Sequence, residues 1–132
     1  MADGDIGNIQ ELPDLEYVYL LIFELYQSGD NSKGQAASKK LEQIQDSIYG
    51  WKIADQLLIN GKDFESCYFA AQTLKTKILH HFNELPKDSY ASLKDSLINH
   101  IVKIDNKVVL TQLSLSLSYV CKFFICTKFT II

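Results

Sequence analysis

Few residues in this chain have the type and spacing to do chemistry. Adjacent His80 and His81, with His100 and Cys67, are the potential metal ligands. Neighbouring residues on a helix point about 100° apart, so the pair does not converge easily on one ion, and no H-x-x-x-H or H-E-x-x-H spacing occurs. Histidines near a helix C-terminus also suit the negative end of its dipole. Cys67 sits between Phe64 and Ala71 on an apolar stripe, which fits a buried structural thiol better than a nucleophile with a base at hand. Cys121 and Cys126 have four residues between them and match no zinc spacing. Asp95 and Glu84 read as single carboxylates on solvated faces and form no acid–base pair. The six glycines are scattered, so there is no phosphate-cradling loop. No enzymatic constellation, metal site or cofactor is expected.

Composition narrows the remaining classes. All 13 basic residues among the 132 are lysines, and the net charge is −3. Without guanidinium forks and without a basic field, direct nucleic-acid binding is not expected. Three cysteines cannot all pair within the chain, which suits a reducing compartment. The acidic N-terminus lacks the apolar core of a signal peptide. The apolar run from Tyr119 to Ile132 is short for a membrane span and is interrupted by Lys122 and Lys128. A cytosolic or nuclear protein without membrane contact is the expectation.

The elements that carry these residues read as helices. Pro13-Asp14 opens a stripe of Leu15, Val18, Ile22 and Leu25, widened by Tyr19 and Tyr26. After Ser28–Asn31, Ala36, Ala37, Leu41, Ile44 and Ile48 mark a second helix. Trp51, Ala54, Leu57 and Leu58 mark a third, stopped at Asn60-Gly61. Asp63 caps a fourth, whose stripe is Phe64, Cys67, Ala71, Leu74, Ile78 and Phe82, with Gln72, Thr73, Thr76, Lys77 and His80 pointing elsewhere. Leu85-Pro86 interrupts it. Leu93, Leu97, Ile101 and Ile104 form a fifth stripe. The sixth segment, Leu113 to Ser118, alternates like a strand, but Val109, Leu113, Leu117 and Val120 fit a helix and no strand partner is near. Trp51 and the seven tyrosines read as core aromatics or, alternatively, as a binding surface. Lys75 and Lys77 read as a solvated edge or a partner contact.

Six helices taken in pairs recur every ~35–40 residues, near the repeat length of HEAT and armadillo proteins. The predicted fold is therefore all-α: HEAT-like repeats of an armadillo-type α-α superhelix, about three pairs, which is near the minimum for a stable stack. Residues 1–13 read as a flexible N-terminus, 14–47, 49–82 and 88–120 as the repeats, and 121–132 as a divergent, β-prone apolar tail.

From Gln35 to Phe82 the chain resembles the N-terminal domain of the importin-β (karyopherin) family. The resembling parts are a helix with Ala36, Ala37 and Leu41, the segment Trp51–Leu58, and an A-x-x-x-L-K-N-like helix that reads Ala70–Thr76, with threonine replacing the usual asparagine. The ordered blocks WKIADQLL, DFESCYFAAQTLKTKI, ELPKDSYASLKDSLINHI and VLTQLSLSLS are similar to family members that import SR-type splicing factors. The resemblance implies a nuclear import receptor whose inner helices, 32–47, 63–82 and 107–120, hold the Ran GTPase in its GTP form. Gln35, Lys39, Gln72, Lys75, Thr76 and Gln112 are the implied Ran-facing positions. Nuclear pore proteins and SR-type cargo are implied partners only of a full-length receptor. The alternative is a small helical adaptor for another protein or peptide. After Ser118 the family pattern stops, so the tail is expected to be non-family sequence from a truncated isoform, without independent function, or from a read-through transcript.

Overall fold

The computed structural model describes the backbone of residues 9–131 except 28 and 30, and side chains as far as Lys122. Residues 1–8 of the expected flexible N-terminus lie outside the described residues. All regular structure among the described residues is helical: α1 (Leu15–Tyr26), α2 (Asn31–Asp46), α3 (Gly50–Asn60), α4 (Phe64–His80), α5 (Tyr90–Lys103) and α6 (Lys107–Ile131), with two short 3-10 turns between α4 and α5. This is the all-α architecture expected of HEAT-like repeats.

Two compact units divide the chain, Met1–Thr73 and Leu74–Ile132. In the first unit α2 packs against both α1 and α3. Asp14, in extended conformation, accepts the backbone N–H of Glu16 at 3.3 Å and starts α1. Val18, Tyr19, Leu21 and Ile22 then form its buried face. Ala37, Leu41 and Ile44 do the same for α2. Ile48 does not extend that stripe. The helix ends at Asp46, Ser47 Oγ donates to the Ile44 carbonyl at 2.7 Å, and Ile48 stands 61% exposed.

α3 buries Ile53, Ala54, Leu57 and Leu58. It stops at Gly61, whose φ of 54° is the left-handed C-cap and whose N–H returns to the Leu57 carbonyl at 3.0 Å. Asn60 Nδ2 donates to the Tyr19 hydroxyl at 3.2 Å, fastening the end of α3 to α1. Asp63 then caps α4 by accepting from Ser66 N at 2.8 Å.

α4 departs from the single stripe read in the sequence. Phe64 is 45% exposed, whereas Ser66, Phe69, Ala70, Thr73 and Lys77 are buried alongside Ala71, Leu74 and Ile78. Positions 66, 70, 73 and 77 recur at helical spacing, so the helix carries a second buried face made of small and polar residues.

In the second unit α5 packs on α6, and the Phe82 and Tyr90 rings stack with centroids 4.4 Å apart. Leu97 and His100 are the buried residues of α5; the predicted companions Leu93, Ile101 and Ile104 are half-buried. Asn106 Oδ1 accepts from Val108 N at 2.9 Å and Val109 N at 3.1 Å, which caps α6. The alternating Leu–Ser run is helical. Val109, Leu113, Ser116 and Val120 are buried while Leu115 is 40% exposed, so burial follows a period near 3.6 and not 2. The β-prone reading of the tail is corrected for the backbone, since α6 continues to Ile131.

Candidate partner-binding surface

The six implied partner-facing residues lie on three helices. Gln35 and Lys39 are one turn apart on α2 and both are exposed, so they share a solvated face. On α4, Lys75 is half-buried and Thr76 exposed. Gln72, also on α4, is half-buried, and its amide donates to the Tyr68 hydroxyl at 2.9 Å. Gln112 on α6 is half-buried, with Oε1 removed from solvent and without a hydrogen-bond partner among the described residues. Gln35, Lys39 and Thr76 are thus available to a partner, whereas Gln72 is turned to Tyr68 and the Gln112 carbonyl is turned inward.

α2 is joined to α4 by Gln45 Nε2, which donates to Thr73 Oγ1 at 2.7 Å, while that hydroxyl donates to the Phe69 carbonyl at 2.8 Å. The bond holds the polar surface of α2 in a fixed relation to the first part of α4. Thr73 lies off the stripe expected from the sequence, and its burial is what lets it serve as this bridge.

Three further assignments change. Lys77 is neither a solvated edge nor an open partner contact: it is 1% exposed and its Nζ lies 2.7 Å from Glu84 Oε1. Glu84 is accordingly not a lone solvated carboxylate; its second oxygen faces His81 Nδ1 at 3.6 Å. His100 is buried, with Nε2 3.4 Å from Ser96 Oγ, whereas His80 is exposed as expected near a helix end. Cys67 is half-buried, and burial, followed by the nearby Asp63 carboxylate, pushes its thiol above its ordinary range. That shift disfavours the thiolate and suits a structural cysteine.

The sequence reading missed a surface group at the start of α4. Phe64 and Tyr68 stack with centroids 5.7 Å apart and planes at 23°. Glu65 stands on the same side of the helix, three positions before Tyr68. The Tyr26 hydroxyl of α1 is held above its usual range by burial, then by Tyr68, then by the Glu65 charge. The i, i+4 aromatic spacing is visible in the sequence, where Phe64 falls on the expected buried stripe and Tyr68 is left as core or binding surface.

Among the described residues no group of three or more His, Cys, Asp or Glu could hold a metal ion, and no helix is long and apolar enough to cross a membrane.

Comparison with known proteins adds the evolutionary frame. The family profile of the importin-β N-terminal domain matches residues 37–103, from within α2 to the end of α5. Lys39, Gln72, Lys75 and Thr76 fall inside that match, and Gln35 and Gln112 outside it. The chain is 34% identical over 106 residues to importin-13 of Bos taurus, covering 79% of this chain and 11% of that protein. It is 30% identical over 97 residues to transportin MOS14 of Arabidopsis thaliana, covering 71% and 10%. It is 29% identical over 117 residues to the mRNA transport regulator MTR10 of Saccharomyces cerevisiae, covering 86% and 12%. The chain therefore spans about a tenth of the length of these relatives. With the domain profile running through four of its helices, this chain belongs to the importin-β family and carries that family's N-terminal domain.

Proposed function

We propose that this chain is the Ran-binding part of a nuclear import receptor of the transportin-3 type. The carrying observation is the importin-β N-terminal domain profile across residues 37–103. The names of the relatives, importin-13, transportin MOS14 and mRNA transport regulator MTR10, are those of transport proteins. In this reading Ran in its GTP form contacts polar side chains of α2, α4 and α6. Gln35, Lys39, Lys75 and Thr76 touch it, while Gln72 and Gln112 support the surface. A helical-repeat surface offers many modest contacts and needs no deep pocket. The protein acts as a transport receptor and catalyses nothing itself, moving between cytoplasm and nucleus. Nuclear pore proteins and SR-type cargo would be partners of a full-length receptor.

Retention of Ran locked in its GTP and GDP forms on the immobilised chain tests the reading. GTP-dependent retention is expected, and it should weaken in a Gln35→Ala/Lys39→Ala variant. Equal or absent retention of the two forms would overturn it. The adaptor reading would then lead, supported by the exposed aromatic and leucine face of α1 at Tyr17, Leu20 and Phe23.

A further inference from the structure

We infer that the outer face of α1, made of Tyr17, Leu20, Phe23 and Glu24, is a docking surface for a partner's amphipathic helix that carries lysine or arginine beside its apolar stripe. None of the six implied Ran-facing residues lies on α1, so the inference goes beyond the Ran reading and does not rest on it.

α1 is more apolar than its place in the fold requires. Ten of its twelve residues are apolar or aromatic, and a helix of that kind is ordinarily enclosed on all sides. Here Val18, Tyr19, Leu21 and Ile22 are buried and α2 packs on the helix, while Tyr17 is 42%, Leu20 53% and Phe23 55% exposed. At about 100° per residue, these three side chains and Glu24 fall within about 120° of the helix circumference and span about 10 Å of its length. They therefore share one face. Single exposed apolar residues need no explanation, but large ones gathered on one face mark a contact surface.

Charge selects the occupant. Glu24 is half-buried within this face, and among the described residues no cation pairs with it. It stands in the last turn of α1, at the negative end of the helix dipole, where the helix carries no basic residue. Neither the helix nor a neighbour answers its charge, so a cation brought by a partner meets both. Area and symmetry argue against a second copy. Three half-exposed side chains of roughly 200 Å² each offer roughly 300 Å², well below the roughly 800 Å² per partner of a stable dimer. A two-fold contact would also bring the Glu24 carboxylates of both copies to one patch. A helix of two or three turns matches the face in length. Its apolar side chains pack between Tyr17, Leu20 and Phe23 as ridges into grooves, and a basic residue at its rim reaches Glu24.

The test titrates the full chain with a helical peptide of about 20 residues, bearing leucines at i, i+3 and i+7 and lysines beside them. One control peptide replaces the lysines by glutamates, and another scrambles the order so that no stripe remains. The lysine peptide should bind at least about tenfold more tightly than either control, with chemical-shift changes at Tyr17, Leu20 and Phe23. Glu24→Gln should weaken it by about two- to fivefold and Phe23→Ala by about tenfold. Ile59→Ala and Glu42→Gln, exposed sites on α3 and α2, should leave it unchanged, and thermal melts check that every variant folds. Equal binding of the three peptides, shifts confined to other helices, or wild-type affinity in Phe23→Ala would overturn the inference. So would a dimer in sedimentation that Phe23→Ala dissolves, because the face would then belong to a second copy. GTP-dependent Ran retention should persist in Phe23→Ala; its loss there would make α1 part of the Ran surface and overturn a separate docking face. Selective peptide binding by a chain that retains no Ran would sink the functional reading and leave this one standing.

Discussion

Lys77 of α4 places its ammonium 2.7 Å from Glu84 Oε1, although its side chain is only 1% exposed. The contact spans the end of α4 and the 3-10 turn Phe82–Glu84, so it sets how the chain leaves the helix. A buried charge deprived of a partner costs more than one removed together with its desolvation.

Glu84→Gln should therefore lower stability by about 1–3 kcal/mol, the lower end reflecting the partial exposure of Glu84. Lys77→Met should cost less, because it removes the buried charge itself. Urea midpoints for the two variants decide the order, and a larger loss for Lys77→Met would contradict this account.

Gln45 and Thr73 should be energetically coupled. Their 2.7 Å bond joins α2 to α4, and Thr73 is buried. A double-mutant cycle with Gln45→Ala and Thr73→Val should return about 0.5–1.5 kcal/mol of coupling. Strict additivity would show that the bond contributes nothing.

Tyr26 makes stability fall at high pH. Its folded-state pKa is raised above 10.0, chiefly by burial. The folded chain then holds the phenol proton when the unfolded chain has begun to lose it, so stability decreases as pH rises above 10. Tyr26→Phe should flatten that decline in chemical-denaturation curves between pH 9 and pH 11, both limits being about one unit from the ordinary value.

Leu57 is fully buried and Ile59 is 67% exposed on the same helix. Leu57→Ala should cost about 2–5 kcal/mol, while Ile59→Ala should stay within about 0.5 kcal/mol. Comparable shifts in thermal midpoint for the two would mean that α3 faces another way.

Gly61→Ala tests backbone strain without a clash. The nearest atom to a Cβ there is the Leu58 carbonyl oxygen at 3.9 Å, an ordinary contact, but φ is +54°. The left-handed conformation alone should cost about 1–2 kcal/mol in thermal unfolding. A neutral substitution would show that the turn adapts.

Helix starts and stops were legible where a residue's own chemistry acts locally. Asp14 and Asp63 cap the following helices through their carboxylates, and Gly61 takes the left-handed turn after Asn60. The sixth helix was legible too, because Val109, Leu113 and Val120 keep a helical period through the alternating serines. Of the implied partner surface, Gln35, Lys39 and Thr76 are exposed, as polar residues on a solvated face should be. The inward turns of Gln72 and Gln112 were not legible, since a glutamine's direction depends on which neighbours offer it a bond.

Local chemistry and periodicity determined the all-α class, the six helices and the domain family, because each rests on residues a few positions apart or on ordered blocks along the chain. The number of buried faces on α4 was decided by tertiary packing. Thr73 and Lys77 carry the polarity of surface residues, yet Gln45 and Glu84 satisfy them inside. The same packing left Phe64 at the surface, although its apolarity marked it for the core. A side chain's polarity states what burial would cost, and only the neighbours brought by the fold determine whether that cost is met.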